Sequence, residues 1–263
     1  MKLRGILFDV DGTLADTEQQ GHLPAYNKAF EELGLNWHWS PELYRKELLL
    51  LPGGRERIRH YVVKHRAPLG GFAERVNSDL GTWVNEVHAA KSRWFRRQVE
   101  SGKVTLRPGV ARLIEEASEK QIRLALVTNA SERSLKPFLN YTLGAELLRR
   151  IDLVVSGEQV ARKKPAPDLY QHALEKLGLS PRDTVAIEDS AMGLCAAVAA
   201  GLPTLVTTND DTREHDFGVA DAVVSGLGEP GEPWEIIKGS LDGFRFASCA
   251  ALEALLAPAS SPA

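Results

Sequence analysis

Two aspartates, Asp9 and Asp11, follow a short apolar run near the start of the chain, in the stretch LFDVDGT. Residues two apart on a strand project to the same face, so we expect the two carboxylates to converge where the first strand ends. Clustered carboxylates repel each other and need a cation or a shared proton to stay together. The motif therefore indicates a metal or acid–base site, although an aspartate-rich loop that caps a helix would also account for it.

Three later motifs also place polar side chains beside apolar runs or helix starts. VTNAS contains Thr128 and Asn129, RKKPAPD contains Lys164, and IEDSAMG contains Glu188 and Asp189. Ligands bind at the carboxyl ends of the strands in open α/β sheets, so we expect these groups to meet the two aspartates at one edge. Four carboxylates, a hydroxyl and a lysine would suit Mg²⁺, a hard cation with oxygen ligands, and would bind a phosphoryl group beside it.

Apolar runs alternate with helical patterns through most of the chain. Six runs are apolar nearly throughout, as expected of strands covered on both faces in a parallel sheet. These runs are 3–8, 122–127, 152–155, 184–187, 204–206 and 221–224, and the helical patterns between them are 109–120, 132–140, 166–178 and 190–201. The alternation predicts an α/β fold with a doubly wound, Rossmann-like parallel sheet.

Residues 17–100 interrupt this alternation, because they show helical patterns without a convincing strand. The patterns are 24–35, 40–51, 54–65 and 72–100. We therefore expect an α-helical cap inserted after the first strand and able to move as a lid, with residues 1–16 and 101–263 forming the core. A C-terminal extension, 226–263, is expected to contain a Gly/Pro-rich linker, a short helix at CAALEALL and a disordered tail, PASSPA.

Composition narrows the class of protein. The chain has 263 residues, 43% of them hydrophobic, and a formal net charge of -3, so no basic field points to nucleic acid or a membrane surface. Cys195, expected in a buried helix, and Cys249 are the two cysteines, which makes a disulfide framework an unfavourable interpretation. With no signal-peptide pattern and no run long enough to span a bilayer, we expect a cytoplasmic monomer.

The motifs DVDGT, VTNAS, KPAPD and IEDSAMG occur in this order, with the helical insert after the first. This arrangement resembles the haloacid dehalogenase superfamily, over residues 3 to about 225. The similarity is to its phosphatase and phosphomutase branch with a helical cap. Dehalogenases of the superfamily lack the second aspartate, so Asp11 argues against that chemistry.

The resemblance implies a role for each of the polar side chains in these motifs. Asp9 would attack phosphorus to form an aspartyl-phosphate. Asp11 would protonate the leaving oxygen and then deprotonate the attacking water. Thr128 and Lys164 would hold the phosphoryl oxygens. The implied Mg²⁺ ligands are Asp9, the backbone carbonyl of Asp11, Asp189 and Glu188, the last directly or through water.

The cap is expected to select the substrate, because the core treats every phosphoryl group alike. LPGGRERI leads two glycines into Arg55 and Arg57 at a helix start, which suits an anion, although an ordinary Gly-rich connector is an alternative. His88 and Lys91 are three apart on one helical stripe, where a lysine lying over packed core is nearly as good an account. Arg133, behind TNAS, is a third candidate, with an exposed helix as the alternative.

A closer resemblance is to the CbbY-type phosphatases, relatives of β-phosphoglucomutase. It is carried by DVDGTLA-TE, Trp37 and Trp39, the GGRER loop, an H-x-x-K cap helix and GLGEPG. The implied substrate is xylulose 1,5-bisphosphate, hydrolysed to xylulose 5-phosphate, with cap cations binding the second phosphate. A residue inserted before His22 shifts it against the family's cap histidine, so His22 receives no role. The implied substrate contacts are Glu18, Gly53, Gly54, Arg55, Glu56, Arg57, His88, Lys91, Thr128, Asn129, Ala130, Ser131, Arg133 and Lys164.

Three alternatives remain open at this point. A phosphomutase would return the phosphoryl group to a reoriented intermediate instead of passing it to water, and a phosphatase could act on another small sugar phosphate. The GGRER loop and Glu18 directly after Thr17 favour hydrolysis. A non-catalytic sugar-phosphate sensor is disfavoured, because a protein that only binds its ligand has no need of a nucleophile such as Asp9.

Overall fold

The computed structural model describes residues 2–51 and 53–256 and divides into two compact units. One unit, the core, comprises Met1–Asp16 and Thr105–Ala263, and the other, the cap, comprises Thr17–Val104. The predicted disordered tail, 258–263, lies outside the described residues. No helix of the described ranges is long and apolar enough to cross a bilayer.

The cap is built from α-helices joined by short turns. Its helices are α1 Leu23–Glu32, α2 Pro41–Lys46, α3 Gly54–Lys64, α4 Ala73–Ser78 and α5 Leu80–Glu100, with 3₁₀ turns at Leu48–Leu50 and Gly70–Phe72. The prediction of one continuous helix over 72–100 is wrong, because the backbone turns away at Asp79, with φ -152° and ψ 84°. The Asp79 side chain accepts a hydrogen bond from the Thr82 amide at 3.0 Å and so caps α5.

A π-helical turn, Glu18–His22, leads into α1. A π-turn holds one residue more than an α-turn of the same height, so it absorbs a single inserted residue without changing the face that the next helix presents. The turn lies at the place where the resemblance to the CbbY-type enzymes implies an inserted residue, before His22. Pro24 then occupies the first turn of α1, where its missing amide hydrogen costs nothing.

Aromatic side chains fill the interior of the cap. Trp39 is fully buried, and its ring centroid lies 4.4 Å from that of Tyr26, 5.0 Å from Phe30 and 5.4 Å from Tyr61. Aromatic pairs at these separations stabilise each other beyond their area burial. The paired tryptophans of the sequence therefore belong to the cap's packing, since Trp37 also contacts Phe30, at 5.2 Å between centroids.

The core contains a seven-stranded sheet. Its strands are β1 Gly5–Phe8, β2 Arg123–Val127, β3 Leu153–Val155, β4 Thr184–Glu188, β5 Thr204–Thr207, β6 Ala222–Val224 and β7 Ile236–Lys238. They lie in the order β3-β2-β1-β4-β5-β6-β7, with β1 to β6 parallel and β7 antiparallel to β6. The predicted parallel α/β sheet is confirmed, whereas β7 was missed because its three residues, Ile-Ile-Lys, are too few to show a strand pattern.

Helices separate the parallel strands in the chain. They are α6 Val110–Glu119, α7 Glu132–Pro137, α8 Gly144–Leu148, α9 Asp168–Leu177, α10 Ala191–Ala199 and α11 Cys249–Ala254, with a π-helical segment at Phe138–Leu143 and a 3₁₀ turn at Pro181–Asp183. Apolar side chains of β1, β2 and β4 pack with those of α9 and α10 in one buried cluster. Cys195 of α10 is exposed, which corrects the expectation that it is buried.

The cap interior provides a stability test at Trp39. Trp39→Ala should lower the free energy of unfolding by about 3–5 kcal/mol, because it leaves a large cavity. Trp39→Phe should cost much less, since the buried indole Nε1 has no hydrogen-bond partner among the described residues. Urea unfolding followed by circular dichroism measures both variants, and a loss below about 1 kcal/mol in Trp39→Ala would show that the cap does not depend on packing at this position.

Candidate active site

Backbone hydrogen bonds just beyond the strand ends hold the polar residues at the carboxyl edge of the sheet in place. The Asp9 amide donates to Ile187 O at 2.9 Å, directly after β1, and the Thr128 amide donates to Val155 O at 3.0 Å, directly after β2. Glu188 is the last residue of β4. Both hydrogen bonds continue the pairing of neighbouring strands by one residue, so the backbone that carries the functional groups is held as firmly as the strands.

Lys164 lies in the connection between β3 and α9 and reaches this edge with its ammonium group. Nζ donates to Asp9 Oδ1 at 2.7 Å, to Glu188 Oε1 at 2.6 Å and to Val127 O at 2.8 Å, which uses all three of its hydrogens. The residue is 4% exposed. Burial acts against the charged form, but the attraction of Asp9 and Glu188 outweighs it and holds the pKa of Lys164 above its ordinary value.

Asp9, Glu188 and Asp189 form a buried carboxylate cluster whose ligand atoms all lie within 4.8 Å of one another. Burial raises the pKa of Asp9 to about 7; Lys164 opposes the rise, and Glu188 and Asp11 add to it. Burial, with Asp9 and Glu188, raises the pKa of Asp189 well above its usual range. Three buried carboxylates thus share the single ammonium group of Lys164.

The carboxylate cluster fits a divalent cation. Glu188 Oε2 is buried and has no hydrogen-bond partner among the described residues, and a buried unpaired carboxylate oxygen is costly unless an ion or proton satisfies it. Oxygen donors of this kind are the ligands that hard divalent cations prefer. Glu188 Oε1 is already occupied, since it accepts from Lys164 and from Tyr170 OH at 2.5 Å.

Asp11 and the VTNAS motif lie at the same edge. Thr128 Oγ1 is 3.5 Å from Asp11 Oδ2 and accepts from the Ala130 amide at 3.0 Å. Asn129 fixes the Lys164 backbone from both sides, because its side chain donates to Lys164 O at 3.2 Å and accepts from Lys164 N at 2.9 Å.

Ser131 caps α7 by accepting from the Ser134 amide. Arg133 lies exposed on α7, and its part in substrate binding stays a prediction, as does that of Ser131.

Sequence reasoning expected Gly12 to allow the turn after Asp11 but missed two residues that hold it, Asn209 and Arg107. Gly12 has a φ of 92°, and a Cβ there would lie 2.2 Å from Asp189 Oδ2, so only glycine fits. The Asn209 side chain donates to Asp189 Oδ2 at 2.7 Å and to Gly12 O at 3.2 Å. Arg107 also donates to Gly12 O and, at 2.8 Å, to Thr207 Oγ1. Asn209 could have been found, because it follows β5 at the same edge; Arg107 carries no such signal.

In the cap, two predicted substrate contacts bind each other. Arg57 Nη1 lies 3.2 Å from Glu18 Oε1 and 2.7 Å from Tyr44 OH, and Tyr44 OH donates to Glu18 Oε2 at 2.5 Å. Burial acts against the charge on Arg57, but Glu18 and the neighbouring tyrosines hold its pKa above the ordinary value. Arg55 and Glu56, from the same loop, are exposed.

His88 and Lys91 lie beside this ion pair in a group of cationic and imidazole side chains. Lys91 is buried, with Nζ 2.7 Å from His22 Nδ1 and 5.0 Å from the Tyr26 ring centroid. Burial lowers the pKa of His88 to about 3, and the positive charges of Lys91 and Arg55 contribute. An anion at this place would offset that repulsion.

Close packing joins the glycine loop to the same group. A Cβ on Gly54 would lie 2.6 Å from Tyr26 OH and 2.8 Å from the His88 ring, so the backbone approaches these side chains as only glycine allows. Gly53 precedes it as the N-cap of α3. His22, which sequence reasoning left without a role, stacks on Phe95 at 4.0 Å between centroids. The π-helical turn before α1 is what carries His22 to Lys91, and sequence spacing alone does not reveal it.

Comparison with known proteins decides the family. The family model for haloacid dehalogenase-like hydrolases matches residues 3–201. The chain belongs to this family. The match covers β1 to β4 and the cap. It also covers the motif residues Asp9, Asp11, Thr128, Lys164, Glu188 and Asp189, so the predicted family is confirmed.

Several characterised members of the haloacid dehalogenase-like hydrolase family are similar to this chain. Protein CbbY of Cupriavidus necator is 42% identical over 255 residues, covering 96% of this chain and 96% of that protein. Phosphorylated carbohydrates phosphatase of Thermotoga maritima is 30% identical, over 76% of this chain and 82% of that protein. A solved structure of a CbbY mutant from Rhodobacter sphaeroides in complex with xylulose 1,5-bisphosphate is 38% identical, with a TM-score of 0.74 and coverage of 87% and 98%.

These relatives confirm the CbbY-like branch that the motifs predicted. Together with the buried carboxylate cluster of the core, they also confirm that the chain is an enzyme, a phosphatase of the haloacid dehalogenase-like family. The roles of individual residues, the identity of the metal ion and the substrate are taken up as proposals below.

Tyr170 offers a test of how the carboxylate cluster is positioned. Tyr170→Phe removes one of the two donors to Glu188 Oε1 while keeping the ring, and loss of such a supporting hydrogen bond should raise the Mg²⁺ concentration for half-maximal activity about ten-fold. Tyr141→Phe, at an exposed tyrosine, is the matched control. An unchanged Mg²⁺ dependence in Tyr170→Phe would mean that Glu188 does not help to hold the ion.

The raised pKa of Asp9 predicts a pH dependence of stability. Its folded value, about 7, lies above the ordinary value of 3.8, so the metal-free folded state keeps a proton that the unfolded state releases, and the free energy of unfolding falls as pH rises through this window. A divalent ion bound by the cluster would replace that proton, so the stabilising increment from added Mg²⁺ should grow from about pH 5 to about pH 8. Unfolding with and without Mg²⁺ measures the increment, and one that is constant or declines with pH would contradict the prediction.

Proposed function

We propose that this enzyme is a Mg²⁺-dependent sugar-phosphate phosphatase that hydrolyses xylulose 1,5-bisphosphate to xylulose 5-phosphate through an aspartyl-phosphate on Asp9. The observation that carries the proposal is the buried contact of Lys164 Nζ with both Asp9 Oδ1 and Glu188 Oε1, beside a third carboxylate, Asp189. A nucleophile, a cation for phosphoryl oxygens and a ligand set for a divalent ion are thereby combined in one place.

In the first half-reaction, the Asp9 carboxylate attacks phosphorus and the ester oxygen leaves. Asp11 donates a proton to that oxygen, so the sugar departs as an alcohol. Thr128 holds a phosphoryl oxygen, and the positive charge of Lys164 beside Asp9 offsets the charge that spreads over the phosphoryl group in the transition state. Asp9, the Asp11 carbonyl, Glu188 and Asp189 would hold the divalent ion, which would supply further charge neutralisation and favour the ionised form of Asp9.

In the second half-reaction, water hydrolyses the aspartyl-phosphate. Asp11, now ionised, takes a proton from the water as its oxygen bonds to phosphorus, and the Asp9 carboxylate leaves. Asn129 holds the Lys164 backbone through two hydrogen bonds, so the ammonium group keeps its position through both steps. Orthophosphate and the free enzyme are the products.

The bisphosphate is favoured over a monophosphate by the cations of the cap. Arg55 is exposed, Lys91 is buried, and both lower the pKa of the neighbouring His88, so a second phosphate would relieve repulsion as well as gain charge-assisted hydrogen bonds. Glu18, through its contacts with Arg57 and Tyr44, keeps this loop in place. The CbbY relative bound to xylulose 1,5-bisphosphate supports this substrate in particular.

Product analysis tests the proposal. The enzyme should release orthophosphate from xylulose 1,5-bisphosphate only when Mg²⁺ is present, and Asp9→Asn should abolish release while leaving the circular dichroism spectrum unchanged. β-Glucose 1-phosphate is the competing substrate, because a phosphomutase would convert it to glucose 6-phosphate. Conversion of that sugar without phosphate release, or full activity in Asp9→Asn, would overturn the proposed reaction.

A second-phosphate site in the cap makes a prediction for Arg55. Arg55→Ala should raise the KM for xylulose 1,5-bisphosphate about 10- to 100-fold, the cost of losing a charged hydrogen bond, but should barely change the KM for a small aromatic phosphate ester. Arg59→Ala, at another exposed arginine of α3, is the matched control for net charge. Equal effects of Arg55→Ala on both substrates would mean that the loop does not bind the second phosphate.

A further inference from the structure

A second cluster of metal-ligand side chains lies in the cap, away from the residues assigned to the substrate. Glu47, His60 and His65 each offer a ligand atom, and these atoms lie within 4.8 Å of one another. His60 Nε2 and His65 Nε2 are each 2.7 Å from the same atom, Glu47 Oε1. Neither the proposed reaction nor the resemblance to CbbY-type enzymes gives these three residues a task.

The fold of the cap brings the side chains of Glu47, His60 and His65 together. Glu47 follows the end of α2, His60 lies on α3, and His65 directly follows α3. The His65 ring stacks on Tyr61 at 5.0 Å between centroids, which fixes its plane. The side chains of Glu47, His60 and His65 are 24%, 30% and 32% exposed, so solvent and ions reach them while neighbouring atoms restrict their rotamers.

We propose that Glu47, His60 and His65 form a second metal site, one that binds a divalent transition ion of the Zn²⁺ class. Two imidazoles and a carboxylate are a donor set that zinc and its neighbours prefer, whereas Mg²⁺ prefers oxygen ligands alone. Ligands of a tetrahedral zinc ion lie about 3.4 Å apart, since each bond is about 2.1 Å long. This value falls between the 2.7 Å contacts and the 4.8 Å limit of the cluster, so small side-chain rotations admit the ion.

The contacts of Glu47 suit this role. Its Oε1 atom lies 2.7 Å from Nε2 of both histidines and 3.1 Å from Lys64 Nζ, so it already faces the imidazoles and accepts a cation. Water completes the coordination on the exposed side, as at zinc sites with three protein ligands.

Lys64 is the group with which the ion competes. Its Nζ lies 3.1 Å from Glu47 Oε1, and its side chain is 58% exposed, so it can turn into solvent when the metal binds. Removing this ammonium group removes a competing cation and leaves the three ligands intact. Lys64→Ala should therefore tighten zinc binding about two- to five-fold, the range expected for an exposed charge pair.

Equilibrium dialysis of the full chain against Zn²⁺, with Mg²⁺ in saturating excess, tests the site. The wild type should bind one Zn²⁺ more than the His60→Gln/His65→Gln double variant, and Co²⁺ should give a visible absorption spectrum that the double variant lacks. Asp189→Asn, in the core cluster, should keep this ion. His38→Gln, at an exposed histidine of the cap, should bind it with unchanged affinity.

Three results would overturn the inference. Equal zinc stoichiometry in the wild type and the double variant would mean that the histidines are not ligands. Loss of all bound zinc in Asp189→Asn would assign the ion to the core. Unchanged zinc affinity in Glu47→Gln, which keeps both histidines, would show that the Glu47 carboxylate does not contact the metal.

Discussion

The carboxylate cluster of Asp9, Glu188 and Asp189 depends on one interaction, its contact with the buried ammonium group of Lys164. It donates to Asp9, Glu188 and a main-chain carbonyl, and these contacts consume its hydrogens. Removing one partner of a buried ion pair is costly because it leaves an uncompensated charge in a medium of low dielectric. Burial is the main cause of the raised pKa of Asp9 and of Asp189, and repulsion from the neighbouring carboxylates adds to it. Three clustered carboxylates face one ammonium group. The same shortage of positive charge makes the edge a site for a divalent ion and a phosphoryl group.

The parallel sheet makes this arrangement possible with few special contacts. One or two polar residues follow the end of each of these strands, and backbone hydrogen bonds between neighbouring strands hold them. Groups that are far apart in the chain therefore meet within hydrogen-bond distance. The turn after Asp11 fixes the position of Asp189. Gly12 packs closely against Asp189, and the Asn209 side chain donates hydrogen bonds to Gly12 O and to Asp189 Oδ2. Arg107 supports the same turn from the segment that re-enters the core. Function in this family is thus carried by loops on a rigid scaffold.

The parts of the fold and site that could be predicted are those that local pattern determines. Continuous apolar runs indicated the six parallel strands, and the position of Asp9, Thr128 and Glu188 after such runs indicated the shared edge. The edge strand β7 is short and mostly exposed, and the break at Asp79 depends on one capping side chain, so neither leaves a periodic signal. Tyr170 shows the same limit in the site, because its role follows from the packing of α9 under Glu188 and not from its place in the sequence.

A crystal of the enzyme grown with Mn²⁺ in place of Mg²⁺ would test the central claim most directly, because anomalous scattering locates the ion without reference to its ligands. The account predicts one strong peak in the core, within bonding distance of a carboxylate oxygen of Asp9 and of Asp189, while Lys164 Nζ keeps its contacts with Asp9 and Glu188. A core without an anomalous peak between these carboxylates, or an ion bound elsewhere with Asp9 turned away from Lys164, would contradict it.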